Sequence, residues 1–259
     1  LQSWIQHCNK TIEQFEGIPP QEADKLFFQE DLLQKLFSDQ KLKSLEDSLK
    51  PLFARWGQHW DLNALSENDR GVVALLGQYG LTMLSAEGDA YLQINEVFFD
   101  NLFKPFLSPE SSAYLAVKHQ IPAVFFEDAG LAHSIQKMGD WAILWEQYLA
   151  VPDNTGPYRQ DAAARYTEIM NILFFCEVEN TPAFPRYNKR RMEQAWIRDL
   201  RAVSDKYPTS ETGAIIVEFL TKIKKDGRKL APATKKAITA GIAEVASGTP
   251  TQKNTPKKR

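Results

Sequence analysis

The chain has 259 residues, which is enough for one large domain or two smaller lobes. Hydrophobic residues make up 43% and charged residues 25% of the chain, so it can bury a core and is not disordered over most of its length. The 13 Gly and 14 Pro residues disfavour a turn-rich all-β protein. No apolar run approaches the roughly 20 residues that cross a bilayer, so we expect no membrane span.

The two cysteines, Cys8 and Cys176, are too few for a disulfide scaffold, and their spacing does not decide whether they pair. We interpret them as two buried or half-buried thiols. The first residue, Leu1, is consistent with a removed signal peptide, a trimmed chain or a non-standard start codon. The compartment therefore stays open, with the cytoplasm slightly favoured over export after signal cleavage.

In the first part of the chain, apolar residues recur at helical spacing. The first helix is predicted to bury one face made of Trp4, Ile5, Cys8, Ile12 and Phe15. A second apolar pattern runs from Leu42 to Trp56, with a kink or break expected at Pro51. Ser66 is a candidate helix cap, and the pattern that follows it continues to Leu84. A further helical stripe is predicted from Tyr91 to Phe103.

In the middle of the chain, Ser108-Pro109-Glu110 is typical of a helix start, with a capping side chain, a Pro in the first turn and an acidic residue near the helix dipole. Ile121–Phe126 is the one segment that favours a short strand. Amphipathic helices are then predicted around Trp141 and Trp145 and from Tyr166 to Phe174. The residues between these two helices, 152–157, read as a loop.

The last part begins with a stiff connector, Thr181–Pro185, because its two prolines hinder helix formation. Three helices are predicted after it, and Pro232 opens the third. Residues 248–259 have no periodicity and predict a disordered basic tail. Together the patterns predict an all-α fold, either an irregular multi-helix bundle or a short α-solenoid of about nine to eleven helices.

Charge is distributed unevenly along the chain. Residues 186–259 carry 18 Lys and Arg against 7 Asp and Glu, whereas residues 1–185 carry 13 against 26. The overall charge of −2 therefore hides two opposite halves. We predict an acidic helical region, 1–180, a basic helical region, 186–247, packed on it, and the basic tail.

Three interpretations of the basic region remain open. The acidic and basic regions attract each other within the chain, or the basic region binds nucleic acid or another polyanion, or it binds an acidic protein or an anionic membrane surface. The candidate binding residues are the cations expected on the outer faces of the first two C-terminal helices: Arg190, Arg191, Arg198, Arg201, Lys222 and Lys225. A solvated helix face would show the same pattern.

Signatures of catalysis are weak. The sequence holds no G-x-G-x-x-G, P-loop, H-E-x-x-H, G-x-S-x-G or C-x-x-C motif, and it predicts no cofactor. The best local metal or acid–base candidate is Glu127-Asp128 followed by His133, although an acidic loop with a surface histidine is the simpler interpretation.

We therefore expect a non-catalytic interaction or scaffold protein that binds a macromolecular partner through its basic C-terminal region. A protein partner is favoured over nucleic acid, and the oligomeric state is left open. The alternatives are a nucleic-acid-binding protein and an enzyme of unknown class.

Overall fold

Helical periodicity produces eleven α-helices in the part of the chain that the computed structural model describes, which is residues 2–29, 39–57, 61–86, 89–122, 124–151 and 158–248. The first six helices are α1 (Gln2–Glu13), α2 (Pro20–Asp24), α3 (Asp39–Gly57), α4 (Glu67–Gln78), α5 (Glu96–Phe103) and α6 (Pro109–Lys118). The last five are α7 (Ile135–Leu149), α8 (Arg159–Phe175), α9 (Gln194–Lys206), α10 (Glu211–Lys225) and α11 (Pro232–Ser247). The strands are β1 (Leu81–Ala86), β2 (Asp89–Ile94), β3 (Phe126–Glu127) and β4 (Gly130–Leu131).

This architecture confirms the predicted multi-helix bundle, with two short antiparallel strand pairs added among the described residues. No helix in the described ranges is both long enough and apolar enough to span a membrane. Residues 249–259 of the predicted basic tail lie outside the described residues, and Gly248 closes α11 with a φ of 67°.

The chain divides into two compact units, Leu1–Ser112 and Ala113–Arg259. The change of charge near residue 186 falls inside the second unit. The division into an acidic region and a basic region therefore stays a prediction drawn from charge alone.

The first unit has an aromatic core beside a small sheet. Phe15 lies 4.7 Å from Phe103, measured between ring centroids, and Phe27 lies 5.4 Å from the same ring. The helix α3 packs on β2, and α4 packs on β1. Asp24 is buried and accepts a hydrogen bond from the backbone N–H of Ser108 at 3.0 Å, which ties α2 to the start of α6.

The β1–β2 pair corrects two helix predictions. The pattern after Ser66 does not continue as a helix to Leu84, because α4 ends at Gln78 and β1 begins at Leu81. Likewise, the stripe from Tyr91 to Phe103 is a strand up to Ile94 and a helix only from Glu96. In the strands, Leu81, Met83 and Leu92 are buried, while Thr82 and Tyr91 are exposed, which is the two-residue alternation of a sheet with one covered face. Gly80, with a φ of 72°, makes the change of direction between α4 and β1.

Two further expectations change in detail. The helix α3 continues through Pro51, so the predicted break does not occur. Of the described residues in the predicted strand Ile121–Phe126, only Phe126 lies in a strand, since β3 contains Phe126 and Glu127. The predicted caps at Ser66 and Ser108 are confirmed, because their hydroxyls accept from the backbone N–H groups of Asp69 and Ser111.

The second unit is built around the helices α7 to α11. Helix α7 packs on α8 and α9, α10 packs on α9 and α11, and α11 packs back on α8. Trp145, Tyr166, Phe174 and Phe219 are fully buried in this unit. The indole N–H of Trp196 on α9 donates to the carbonyl of Leu173 on α8 at 2.8 Å.

A carboxylate from α7 fixes the start of α10. Glu146 accepts hydrogen bonds from the backbone N–H groups of Glu211 and Thr212, both at 2.8 Å. Ser210 accepts from the N–H of Gly213 at 2.8 Å. Three of the amide groups that a helix leaves unsatisfied at its first turn therefore have acceptors, and one acceptor group comes from another helix.

Candidate functional site

Two loops of the second unit bring six cations together. The first loop, residues 186–191, connects the stiff segment Thr181–Pro185 to α9, and the second loop, residues 226–229, follows α10. Arg191 and Lys229 form an isolated antiparallel bridge, and the N–H of Met192 donates to the carbonyl of Arg228 at 2.8 Å. We call these two segments the basic loops. Their cations are Arg186, Lys189, Arg190, Arg191, Arg228 and Lys229.

The conformation of the first loop is fixed by its own hydrogen bonds. The backbone N–H of Arg190 donates to the carbonyl of Pro185 at 3.0 Å, and that of Arg191 donates to Asn188 at 2.9 Å. The Asn188 amide donates to the carbonyl of Arg191 at 3.1 Å and to the Glu193 carboxylate at 2.9 Å. A loop with this many internal bonds presents its side chains in a defined arrangement.

Backbone strain is concentrated in the same place. The described residues include five non-glycine residues with positive φ, and three of them are Lys189 at 51°, Arg190 at 55° and Arg228 at 66°. The left-handed conformation costs a non-glycine residue about 1–2 kcal/mol. Strained residues of this kind occur preferentially at functional sites, where the surrounding bonds hold them in place.

The cations of the basic loops form no ion pairs among the described residues, although carboxylates lie near them. Five of the six cations are exposed, and Arg228 is half-buried, with its guanidinium donating to the carbonyl of Met192 at 3.3 Å. Among the described residues, no ion pair joins any of the six to a carboxylate. The acidic residue of the second loop, Asp226, accepts a hydrogen bond from Thr234.

A groove of about 860 Å³ lies beside the basic loops. Apolar parts of its wall come from Phe175, Val178, Pro182, Phe184 and Leu230. Its polar parts come from the carboxylates Glu177 and Glu179 and from four cations of the basic loops, Arg186, Lys189, Arg190 and Lys229. Tyr187 stands at this groove with 83% of its surface exposed.

The groove also contains the buried Cys176. Burial raises the pKa of the Cys176 thiol, so the group stays protonated and neutral near neutral pH. Both Cys176 and Cys8 are free cysteines. The thiol adds an apolar surface to the groove and no charge.

The structure places the six predicted binding residues in three locations. Arg190 and Arg191 belong to the basic loops. Arg198 and Arg201 are exposed on α9, where Arg198 pairs with Asp199 at 3.2 Å. Lys222 and Lys225 lie in the last turn of α10, where Lys222 pairs with Glu218 at 3.5 Å.

Sequence reasoning missed Arg186, Tyr187, Lys189, Arg228 and Lys229. The Asp226-Gly227 pair indicates the end of α10. The two cations directly after this pair are the sequence signal that could have identified the second basic loop. Their approach to Arg191 depends on how α9 and α10 pack, which no local pattern encodes.

The candidate metal residues do not assemble into a ligand cluster. Glu127 lies in β3, and Asp128 forms the turn before β4 with a φ of 45°. The ring centroids of His133 and Trp141 lie 4.9 Å apart, with the two rings nearly perpendicular. In the described parts of the chain, no group of three or more His, Cys, Asp or Glu side chains is arranged to hold a metal ion.

Two tyrosines whose pKa values are strongly raised lie in buried contacts between helices. Burial, together with a hydrogen bond to Asp161, raises the pKa of Tyr114, and burial raises the pKa of Tyr166. Tyr114 also stacks on Tyr158 at 4.7 Å, and the Tyr166 hydroxyl lies 3.1 Å from that of Thr212. Both phenols therefore stay neutral and join helices.

No family model matches the chain, and no curated protein or solved structure matches it either.

Proposed function

We propose that the chain is a non-catalytic interaction protein that binds an acidic macromolecular partner through the basic loops. The observation that carries the proposal is the cluster of six cations without a carboxylate partner among the described residues. Like charges held together repel one another, and a partner of opposite charge relieves that repulsion.

The geometry of the loops supports a binding role. The cations project from two segments that are bonded to each other through Met192 and Arg228. Arginine, which supplies four of the six cations, presents a planar set of donors that suits carboxylate and phosphate oxygens. Little ordering is needed when a partner binds, because the loop backbone is already fixed.

Binding to immobilised heparin tests this proposal. The variant Arg190→Ala/Arg191→Ala/Lys229→Ala is expected to elute at lower salt than the wild type, since each lost ionic contact releases one fewer counterion. The slope of log affinity against log salt should become shallower by roughly 0.9 for each lost contact, by analogy with phosphate contacts. All three side chains are exposed, so we expect the melting temperature to stay close to that of the wild type.

A matched control removes the same number of charges from the first unit. The variant Lys10→Ala/Lys43→Ala/Lys50→Ala changes three exposed lysines and should elute with the wild type, apart from a small effect of net charge. If the two triple variants elute together, or if the wild type does not bind heparin at low salt, the proposal is wrong.

A further inference from the structure

We propose that the acidic partner is a single-stranded nucleic acid, whose phosphates pair with the basic loops while one of its bases stacks on Tyr187. This inference rests on the proposed function and narrows it to one class of partner.

The first observation is the position of Tyr187. The residue is 83% exposed, which is the highest value among the large hydrophobic residues of the described chain. No ring of the described residues stacks on it and no cation lies over it, whereas many other aromatic residues of the second unit lie against one another. Single exposed hydrophobic residues are common on protein surfaces, so it is the setting of this ring that carries the argument.

The second observation is the setting of that ring. Arg186 precedes Tyr187 in the chain, and Lys189, Arg190 and Arg191 follow it within four residues. The hydrogen bonds of the first loop hold this segment in one conformation. Proteins that bind single strands combine an exposed aromatic platform with a positively charged track for the backbone.

The third observation separates nucleic acid from an acidic protein. Glu177 and Glu179 line the same groove as Arg186, Lys189 and Arg190. The two glutamates repel the carboxylates of an acidic peptide and the phosphates of a nucleic acid alike, but an acidic side chain offers them no donor in return. A nucleotide carries phosphates for the cations, and its base carries N–H donors that a carboxylate accepts.

The requirement for a stacking platform also favours a single strand over a duplex. In a duplex each base face is covered by the next base pair, so the Tyr187 ring has no free face to contact. In a single strand the bases are free to unstack, and base–aromatic stacking tolerates any sequence. The groove of about 860 Å³ beside the ring has room for a base.

The test compares three labelled probes by fluorescence anisotropy with the full chain. The probes are a mixed-sequence DNA strand of about 16 nucleotides, its duplex and a poly-glutamate peptide of similar charge. We expect the single strand to bind about tenfold more tightly than either of the other two at low salt. Its affinity should fall steeply between about 50 mM and 200 mM salt.

Two substitutions of Tyr187 separate stacking from charge. The change Tyr187→Ala keeps the net charge and should weaken single-strand binding about tenfold, while elution from heparin stays unchanged. The change Tyr187→Phe retains the ring and should bind as the wild type does. Because the side chain is exposed, both variants should melt with the wild type.

The outcomes distinguish this inference from the proposed function. If poly-glutamate binds as tightly as the single strand, or if Tyr187→Ala binds as the wild type does, the nucleic-acid inference is wrong, while the heparin result still supports an acidic partner. If the duplex binds as tightly as the single strand, the stacking role is wrong. If no anionic polymer binds, both proposals fail.

Discussion

The contact between Gly139 on α7 and Val203 on α9 allows a quantitative test of how the second unit packs. A Cβ atom added at Gly139 would lie 2.4 and 2.6 Å from the two methyl groups of Val203, about 1 Å or more inside an ordinary carbon–carbon contact of about 3.5–4.0 Å. Overpacking of this kind costs about 1–3 kcal/mol. The better helix propensity of alanine returns about 1 kcal/mol. Because the overlap involves both methyl groups, we expect a cost in the upper part of that range, so Gly139→Ala should lower the free energy of unfolding by about 1–2 kcal/mol net.

The matched control is Gly241→Ala in the middle of α11. Its added Cβ would lie 3.5 and 3.7 Å from Ile215, which is ordinary contact, so the propensity gain of about 1 kcal/mol should appear undiminished. The two changes are chemically identical and should shift the stability in opposite directions. Urea denaturation followed by circular dichroism measures both.

A double variant tests whether the clash is the cause. The change Val203→Ala removes both methyl groups, so Gly139→Ala should be tolerated far better in that background than in the wild type. If Gly139→Ala is as stable as the wild type, or if the Val203→Ala background gives no relief, then α7 and α9 do not approach as closely as the structure has them.

Three further changes test individual contacts. Ala129 has a φ of 56° in the β3–β4 turn, so Ala129→Gly should raise the melting temperature by relieving about 0.5–1 kcal/mol of strain, and an unchanged or lower value would contradict that origin. Glu146→Ala leaves two N–H groups of α10 without their acceptor and should lower the urea midpoint by an amount equivalent to about 1–2 kcal/mol, whereas Glu146→Gln should lose less. The hydrogen bond from Arg55 lowers the pKa of Asp69, so their pair stabilises the fold above the ordinary carboxyl pKa of 3.8 and is lost as the pH falls through the lowered value. Acidification through that range should therefore destabilise the wild type more than Asp69→Asn, and equal losses would refute the pairing.

Local signals predicted the helices of this fold well. Ser66 and Ser108 are caps whose acceptor role depends only on the next three residues, so the sequence identifies them directly. The β1–β2 pair was missed because Leu81 and Leu84 also fit a helical stripe, and the register Met83 with Leu92 arises from pairing with a second segment. A local pattern cannot decide between the periodicity of a helix and that of a strand in such a segment.

The candidate site shows the same division between local and tertiary information. Arg190 and Arg191 stand out in the sequence because cations are dense there. Their association with Arg228 and Lys229 depends on a bridge between segments almost 40 residues apart in the chain. Arg198 stands out in the sequence as clearly as Arg190 and Arg191 do. In the structure, however, it lies within ion-pairing distance of Asp199.

The carboxylate of Glu146 also bears on the order in which the second unit assembles. It reaches amide groups 65 and 66 residues further along the chain, so the first turn of α10 receives these bonds only when α7 is already present. During synthesis from the amino terminus, the residues of α7 emerge from the ribosome before those of α10. The first basic loop lies between α7 and α10 in the chain. The contact between Glu146 and the first turn of α10 can therefore form only after this loop has been synthesised. Because Arg228 and Lys229 follow α10 in the chain, we expect the two basic loops to meet only after α10 has been synthesised.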